Sequence, residues 1–196
     1  MTRYSELQLD ALRELANIGS GNAATALSGL LGRPIDVSVP SALALPLADA
    51  VDAAGPAEAI VTGVVLPVYG DLDAIVLLLF TPEDADELTG LLGCEPGSEV
   101  ALSALGEIGN ILGSSYIGAL GSMVGLMLEP RPPATATDML GAIVASVLVA
   151  EAHTTDFALL LDSDLVVEGS ECSFQFMLVP SAAGVDELLN RLGLGE

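Results

Sequence analysis

Apolar residues near the start of the chain recur at spacings of three and four. Leu9, Leu12, Ala16 and Gly19 fall on one stripe, which predicts an amphipathic helix over 6–18. A second helix is expected over 22–31, stopped by Gly32 ahead of Arg33-Pro34. The pattern then turns extended at 35–39 and passes through a Pro- and Ala-rich connection to about residue 57. Two strand-like apolar runs follow, 59–68 and 74–80, with Gly70-Asp71 between them as a hairpin signal. Thr81-Pro82-Glu83 opens another helix, with Thr at the cap, Pro at the first position and acid in the first turn; it ends near Gly93.

After Gly93 the order begins again. A loop at 94–98 leads to a helix from about Glu99, a second from about Ser114, and an extended 126–129. A Pro-rich turn at 130–133 precedes apolar runs at 142–150, 157–161 and 174–179, and a last helix carries 185–192. Self-comparison turns this order into an alignment. Asp10, Glu14, Asn17 and Pro40 recur 93 residues later as Ser103, Glu107, Asn110 and Pro133. Asp86-Glu87-Leu88 and Gly93 recur 100 residues later as Asp186-Glu187-Leu188 and Gly193, so the second half is seven residues longer. The expected fold is α+β: one domain over 1–196, a pseudo-twofold duplication of a helix-helix-strands-helix unit, with repeats at about 6–93 and 99–193. Hairpin connections make the shared sheet largely antiparallel, with the motif helices on one face.

Charge narrows the choice of partner. Against 27 acidic residues stand five basic ones, all arginine, for a net charge of −22. Nucleic acid and anionic membrane surfaces are held by clustered Lys and Arg, so neither is expected as partner. Disorder is excluded by a hydrophobic content of 52% and a mean hydropathy of +0.64, enough for a sizeable core. So acidic a folded surface without lysine suits concentrated salt, where the Debye length falls to ~3 Å at 1 M; a halophilic host is expected. Two cysteines and one histidine, Cys94, Cys172 and His153, offer neither a disulfide framework nor a zinc site. No secretory h-region is visible and a cytoplasmic location is the expectation. Residues 108–128 carry no charge over 21 positions, but Asn110, three serines and five glycines mark a buried helix or helix pair rather than a membrane span.

At 100° per residue, Asp10, Glu14 and Asn17 lie within about 60° of one another on the side opposite the apolar stripe. Ser103, Glu107 and Asn110 do the same against Leu102, Leu105, Gly109 and Leu112. One such face is an ordinary solvated helix surface; two at one spacing, each followed by proline, point to a function. An asparagine amide stays neutral, donates and accepts hydrogen bonds, and can hold a water in line with a phosphorus. Phosphoryl transfer uses a glutamine in this way in GTPases. A neighbouring glutamate would repel phosphate and is better suited to docking a partner's lysine or arginine. A hundredfold acceleration needs ~2.7 kcal/mol, within reach of one well-placed amide.

The residues Glu14-Leu-Ala-Asn17-Ile-Gly-Ser-Gly-Asn22-Ala-Ala-Thr and Glu107-Ile-Gly-Asn110-Ile-Leu-Gly-Ser-Ser-Tyr116 closely resemble the active-site helices of the CheC family of chemotaxis phosphatases. The family pattern is Asp or Ser, three residues, Glu, two residues, Asn, then Pro about 22 residues on, and both halves satisfy it. Val39-Pro40, Pro132-Pro133 and the run Asp138-Met139-Leu140-Gly141-Ala142-Ile143 add to the likeness, which covers nearly the whole chain. The resemblance implies dephosphorylation of the aspartate of phosphorylated CheY. Asn17 and Asn110 would position the attacking water, and Glu14 and Glu107 would pair with a CheY lysine. The protein would need no cofactor of its own, the Mg²⁺ being bound by CheY. Asp10, Ser103, Pro40 and Pro133 would support the motif. The family likeness further implies a pseudo-twofold α+β fold and CheD as a second partner. Two intact sites favour the CheC type over the CheX and FliY types, and both motifs being complete, the sequence does not rank them. A non-catalytic module that sequesters CheD or a regulator is the alternative.

Other constellations fit less well. Gly19, Gly21 and Ala24 match G-x-G-x-x-A, the dinucleotide-binding fingerprint, but follow a helix rather than a strand, so they are expected to break one helix from the next or to permit close packing. Asp162, Asp164 and Glu168 read as a polar turn between strands rather than a cation site. Ser103 lacks a histidine near it in sequence to act as base; capping or polar support is the expected role at positions 10 and 103. His153 reads as a loop residue, and Cys94 and Cys172 as packed thiols.

Overall fold

The computed structural model describes residues 6–151, 157–167 and 170–181, and the single positions 184, 187, 190 and 191. The first half runs through α1 (Glu6–Leu31), β1 (Ile35–Pro46), α2 (Leu47–Ala54), β2 (Ile60–Gly70), β3 (Ala74–Phe80) and α3 (Pro82–Gly90). The second repeats that order as α4 (Glu99–Val124), the split strand β4 (Leu128–Pro130) and β5 (Ala134–Met139), α5 (Leu140–Glu151), β6 (Phe157–Val167) and β7 (Ser170–Pro180). Gly184, Glu187, Asn190 and Arg191 are helical; the rest of the expected last helix lies outside the described residues, as does His153. The bounds of α1 and α4 differ by the 93 residues found in the sequence.

The unit is helix, strand, helix, hairpin and helix. Where two opening helices are expected in each half, there is one of 26 residues. Of the two roles expected for Gly19, breaking the helix or permitting close packing, the structure shows the second: it stays helical and its missing side chain admits α4, since a Cβ there would sit 2.8 Å from Tyr116 Cα. Strand β1 extends beyond 39, and the Pro/Ala-rich connection becomes its second half plus α2. The apolar run 142–150 is the helix α5. Its buried residues Leu140, Ile143, Val144 and Val147 follow helical spacing. Helix ends obey local signals. Thr81 Oγ1 accepts from the Asp84 N–H at 3.1 Å, Ser98 Oγ accepts from Ala101 N–H at 3.1 Å, and Gly125 closes α4 in the left-handed region with φ 69°.

All strands join one seven-stranded antiparallel sheet in the order β1-β6-β7-β3-β2, with β4 and β5 both on the far edge of β2. The central pair β3·β7 joins the halves. Each half's first strand crosses over to the other half's hairpin: β1 pairs with β6, and β5 with β2. Alternation splits the side chains between two cores. Val76, Leu78, Phe80, Phe174, Phe176 and Leu178 face α1 and α4. Ile75, Leu77, Leu79, Met177 and Val179 face α2 and α5. The motif helices thus share one face of the sheet. Small residues seat α4 on it, since a Cβ at Gly109 would meet Val64 Cγ1 at 2.7 Å. The charge-free stretch 108–128 is the buried body of this helix and the turn after it; no described helix is long and apolar enough to cross a membrane.

Candidate functional site

Helix α1 is phased by Ala16, Gly19, Ala23 and Leu27, all buried at spacings of three and four. That packing leaves Asp10, Glu14 and Asn17 exposed on the opposite side. On α4 the buried residues Leu105, Gly109, Leu112 and Tyr116 turn Ser103 and Glu107 out to solvent and leave Asn110 half-buried. Tyr116 fixes this phase from within: its ring stacks on Phe176 at 4.7 Å between centroids, and its hydroxyl lies 3.5 Å from Ser163 Oγ. Burial raises the Tyr116 pKa to about 12, against a smaller lowering by the Ser163 hydrogen bond, so the phenol stays a neutral anchor.

Each half therefore presents Glu and Asn one helical turn apart, on a rigid element, facing outward. Asp10 pairs with Arg13, Nη2 to Oδ1 at 2.6 Å, and Ser103 Oγ donates to the Glu99 carbonyl at 2.9 Å. Neither residue caps its helix: Asp10 lies a full turn inside α1, and Ser98 takes the cap of α4. The motif prolines mark equivalent breaks. The β1·β6 register shifts between Ser38 and Ser41, around Pro40. The matching 131–133 of the second half, ending in Pro133, lies outside the ladder and separates β4 from β5. A residue without an N–H suits such a gap.

The two sites differ in one neighbour that the sequence reading passed over as a helix start. Ser114 Oγ lies 3.4 Å from Asn110 Oδ1 and donates to it. The position 93 residues earlier is Gly21, and among the described residues no side chain holds the Asn17 amide. The signal was available in the alignment of the repeats.

The remaining candidates are placed elsewhere. Gly19, Gly21 and Ala24 lie within α1, so no strand-turn-helix cradle for a pyrophosphate exists there. Asp162 and Asp164 lie in the ladder of β6, which runs to Val167; Glu168 lies outside the described residues. Asp162 and Asp164 are therefore strand residues and not part of the polar turn expected there. Asp164 Oδ1 accepts from Ser173 Oγ at 3.3 Å, and Asp84 accepts from Ser173 N–H and from Thr81 Oγ1, so the polar lining of the cleft of about 330 Å³ beside them is internally bonded. No group of three His, Cys, Asp or Glu residues that could hold a metal occurs among the described residues. Cys94 is half-buried and Cys172 buried, both as free thiols. Burial, followed by the charges of Glu87 and Asp84, pushes the Cys172 thiol up to about 11.

Comparison with known proteins gives the family. The family model described as CheC-like matches residues 7–43 and again 100–136, at the 93-residue offset of the repeat. The CheY-P phosphatase CheC of Bacillus subtilis is 31% identical over 198 aligned residues, covering 96% of this chain and 95% of that protein. Among solved structures, Thermotoga maritima FliY superposes with a TM-score of 0.77 at 20% identity, covering 100% of both chains. The chemotaxis protein CheX of Desulfovibrio desulfuricans gives 0.54 at 15% identity, over 86% of this chain and 99% of that one. With both halves carrying the pattern and a relative of such identity aligned along nearly the whole length, the chain belongs to the CheC-like family.

Proposed function

We propose that the protein is a phosphatase for phosphorylated CheY. The observation that carries this reading is the repeated outward pair, Glu14 with Asn17 and Glu107 with Asn110, on helices locked into the sheet. The B. subtilis relative bears the name of that activity. In the proposed reaction the Asn amide holds a water in line with the phosphorus of the partner's aspartyl phosphate. The water oxygen attacks phosphorus as the P–O bond to aspartate breaks, the aspartate carboxylate leaves, and the water's two protons go to the inorganic phosphate released, which shares one of them with solvent near neutral pH. CheY's own Mg²⁺ supplies charge neutralisation at the phosphoryl group. The glutamate orients the complex by pairing with a CheY lysine, a charge-assisted contact that fixes direction as well as distance. Leu7 and Val100, equivalent positions 69% and 67% exposed, lie about 20° around the helix from Glu14 and Glu107 and add apolar contact to the same face. Acting on a soluble regulator, the protein works in the cytoplasm on this reading, and CheD is the second partner proposed.

The test is the decay of phosphorylated CheY with and without the protein. Asn17→Ala combined with Asn110→Ala abolishes the acceleration while CheY still binds. Decay curves identical for wild type and the double variant would show instead a non-catalytic module that sequesters a regulator or CheD. Pull-down of CheD by the wild-type chain checks that partner separately.

A further inference from the structure

We infer that Ser114 is a positioning residue for Asn110, and that its replacement by Gly21 in the first repeat makes the second site the faster of the two. The inference rests on the phosphatase reading and deepens it. Three other hydroxyls on these helices bond a backbone carbonyl of the preceding turn: Ser20 that of Asn17, Thr25 that of Gly21, and Ser103 that of Glu99. Ser114 instead donates to the side-chain oxygen of Asn110. That contact occupies one lone pair of Oδ1 and restrains the amide's torsions. The second lone pair and both N–H groups remain for a water. At 3.4 Å the bond is long, as catalytic hydrogen bonds often are before the partner arrives. Asn110 is also half-buried where Asn17 is exposed, so its side chain has less freedom to lose on docking. Gly21 leaves the equivalent space open: a Cβ built there meets nothing within 4 Å. The Cβ of a serine there displaces no neighbour.

The experiment isolates each site. With Asn17→Ala only the second site works, and with Asn110→Ala only the first; the second-site protein has a kcat about threefold higher, the effect of a modest hydrogen bond. In the second-site background, Ser114→Ala lowers kcat about threefold with KM unchanged, and Ser114→Thr, which keeps the hydroxyl, retains it. In the first-site background, Gly21→Ser raises kcat by a similar factor, whereas Gly21→Ala, which only stiffens the helix, does not. An unchanged kcat in Ser114→Ala, or equal gains from Gly21→Ser and Gly21→Ala, overturns the inference. Side-chain ¹⁵N relaxation reads the restraint without turnover. The Asn110 amide is more ordered than that of Asn17, and Ser114→Ala removes the difference. Equal order in the wild type overturns the positioning role whatever the activity. Absent acceleration of decay with the order difference intact sinks the phosphatase reading alone.

Discussion

Alanine at Gly19 and at Gly21 makes the same chemical change two residues apart with opposite results. At Gly19 the new methyl meets the Tyr116 backbone at 2.8 Å, so α1 and α4 must separate; a loss of about 2 kcal/mol is expected in denaturant unfolding. At Gly21 it meets nothing, and the gain in helix propensity stabilises by up to about 1 kcal/mol. Cys172 predicts a pH response. Its thiol is raised from 9.0 to about 11 in the fold, so the unfolded chain releases the proton first. Stability from this group is complete below pH 9 and is lost as pH rises through 11. Urea midpoints measured from pH 8 to 11 should fall for wild type and fall less for Cys172→Ala. The outward-facing Glu and Asn residues were legible from sequence because helical periodicity alone sets which side they occupy. Ser114 was not, because its role depends on α4 continuing through a position that looked like a start.

At the scale of elements, the signals that held were those confined to a few residues. Gly32 after α1 and the Thr81 cap act within a few residues, whereas the turn following Gly70, though visible in the sequence, is also tied to the second half by Asp71 N–H donating to the Met127 carbonyl at 3.0 Å. Thr81→Ala removes the oxygen that accepts Asp84 N–H and the donor to Asp84 Oδ2, and Asp84 in turn accepts from Ser173 N–H of β7. A loss of about 1 kcal/mol is expected in thermal unfolding, with α3 loosening from the sheet; an unchanged melting temperature would mean that solvent replaces the cap. What sequence could not give were decisions made by contact between distant segments. The Gly19-Ser20-Gly21 stretch reads equally as a breaker or a packing site until Tyr116 packs on Gly19. The apolar run 142–150 is left without an element type by its pattern until the sheet presents a second face for Leu140, Ile143, Val144 and Val147 to cover. The two prolines were visible, yet the gap in each ladder that suits them exists only once β1 and β5 have found their partners.

For the molecule as a whole, the charge of −22 sets the response to ionic strength. Self-repulsion within the folded surface is relieved by salt, so the melting temperature should rise between 0.1 M and 2 M sodium chloride. If CheY is also acidic, the encounter is repulsive at long range and, under the proposed docking, recognition falls to Glu14 or Glu107 with one lysine. The phosphatase rate then climbs with salt toward molar levels. A rate falling steadily from 0.1 M upward would show that the charge draws the partner in. The crossing of each half's first strand to the other half's hairpin also governs how the chain is made. Strand β1 emerges from the ribosome early, yet Ile35 pairs with Val167, roughly 130 residues later. At the usual ~5–20 residues per second, it waits on the order of ten seconds with its hydrogen bonds unpaired. During that interval the nascent chain presents an open β edge to every neighbour on the polysome. By the same exchange, a gene for either half alone would give its first strand a hairpin partner of this kind only by pairing two copies of its product.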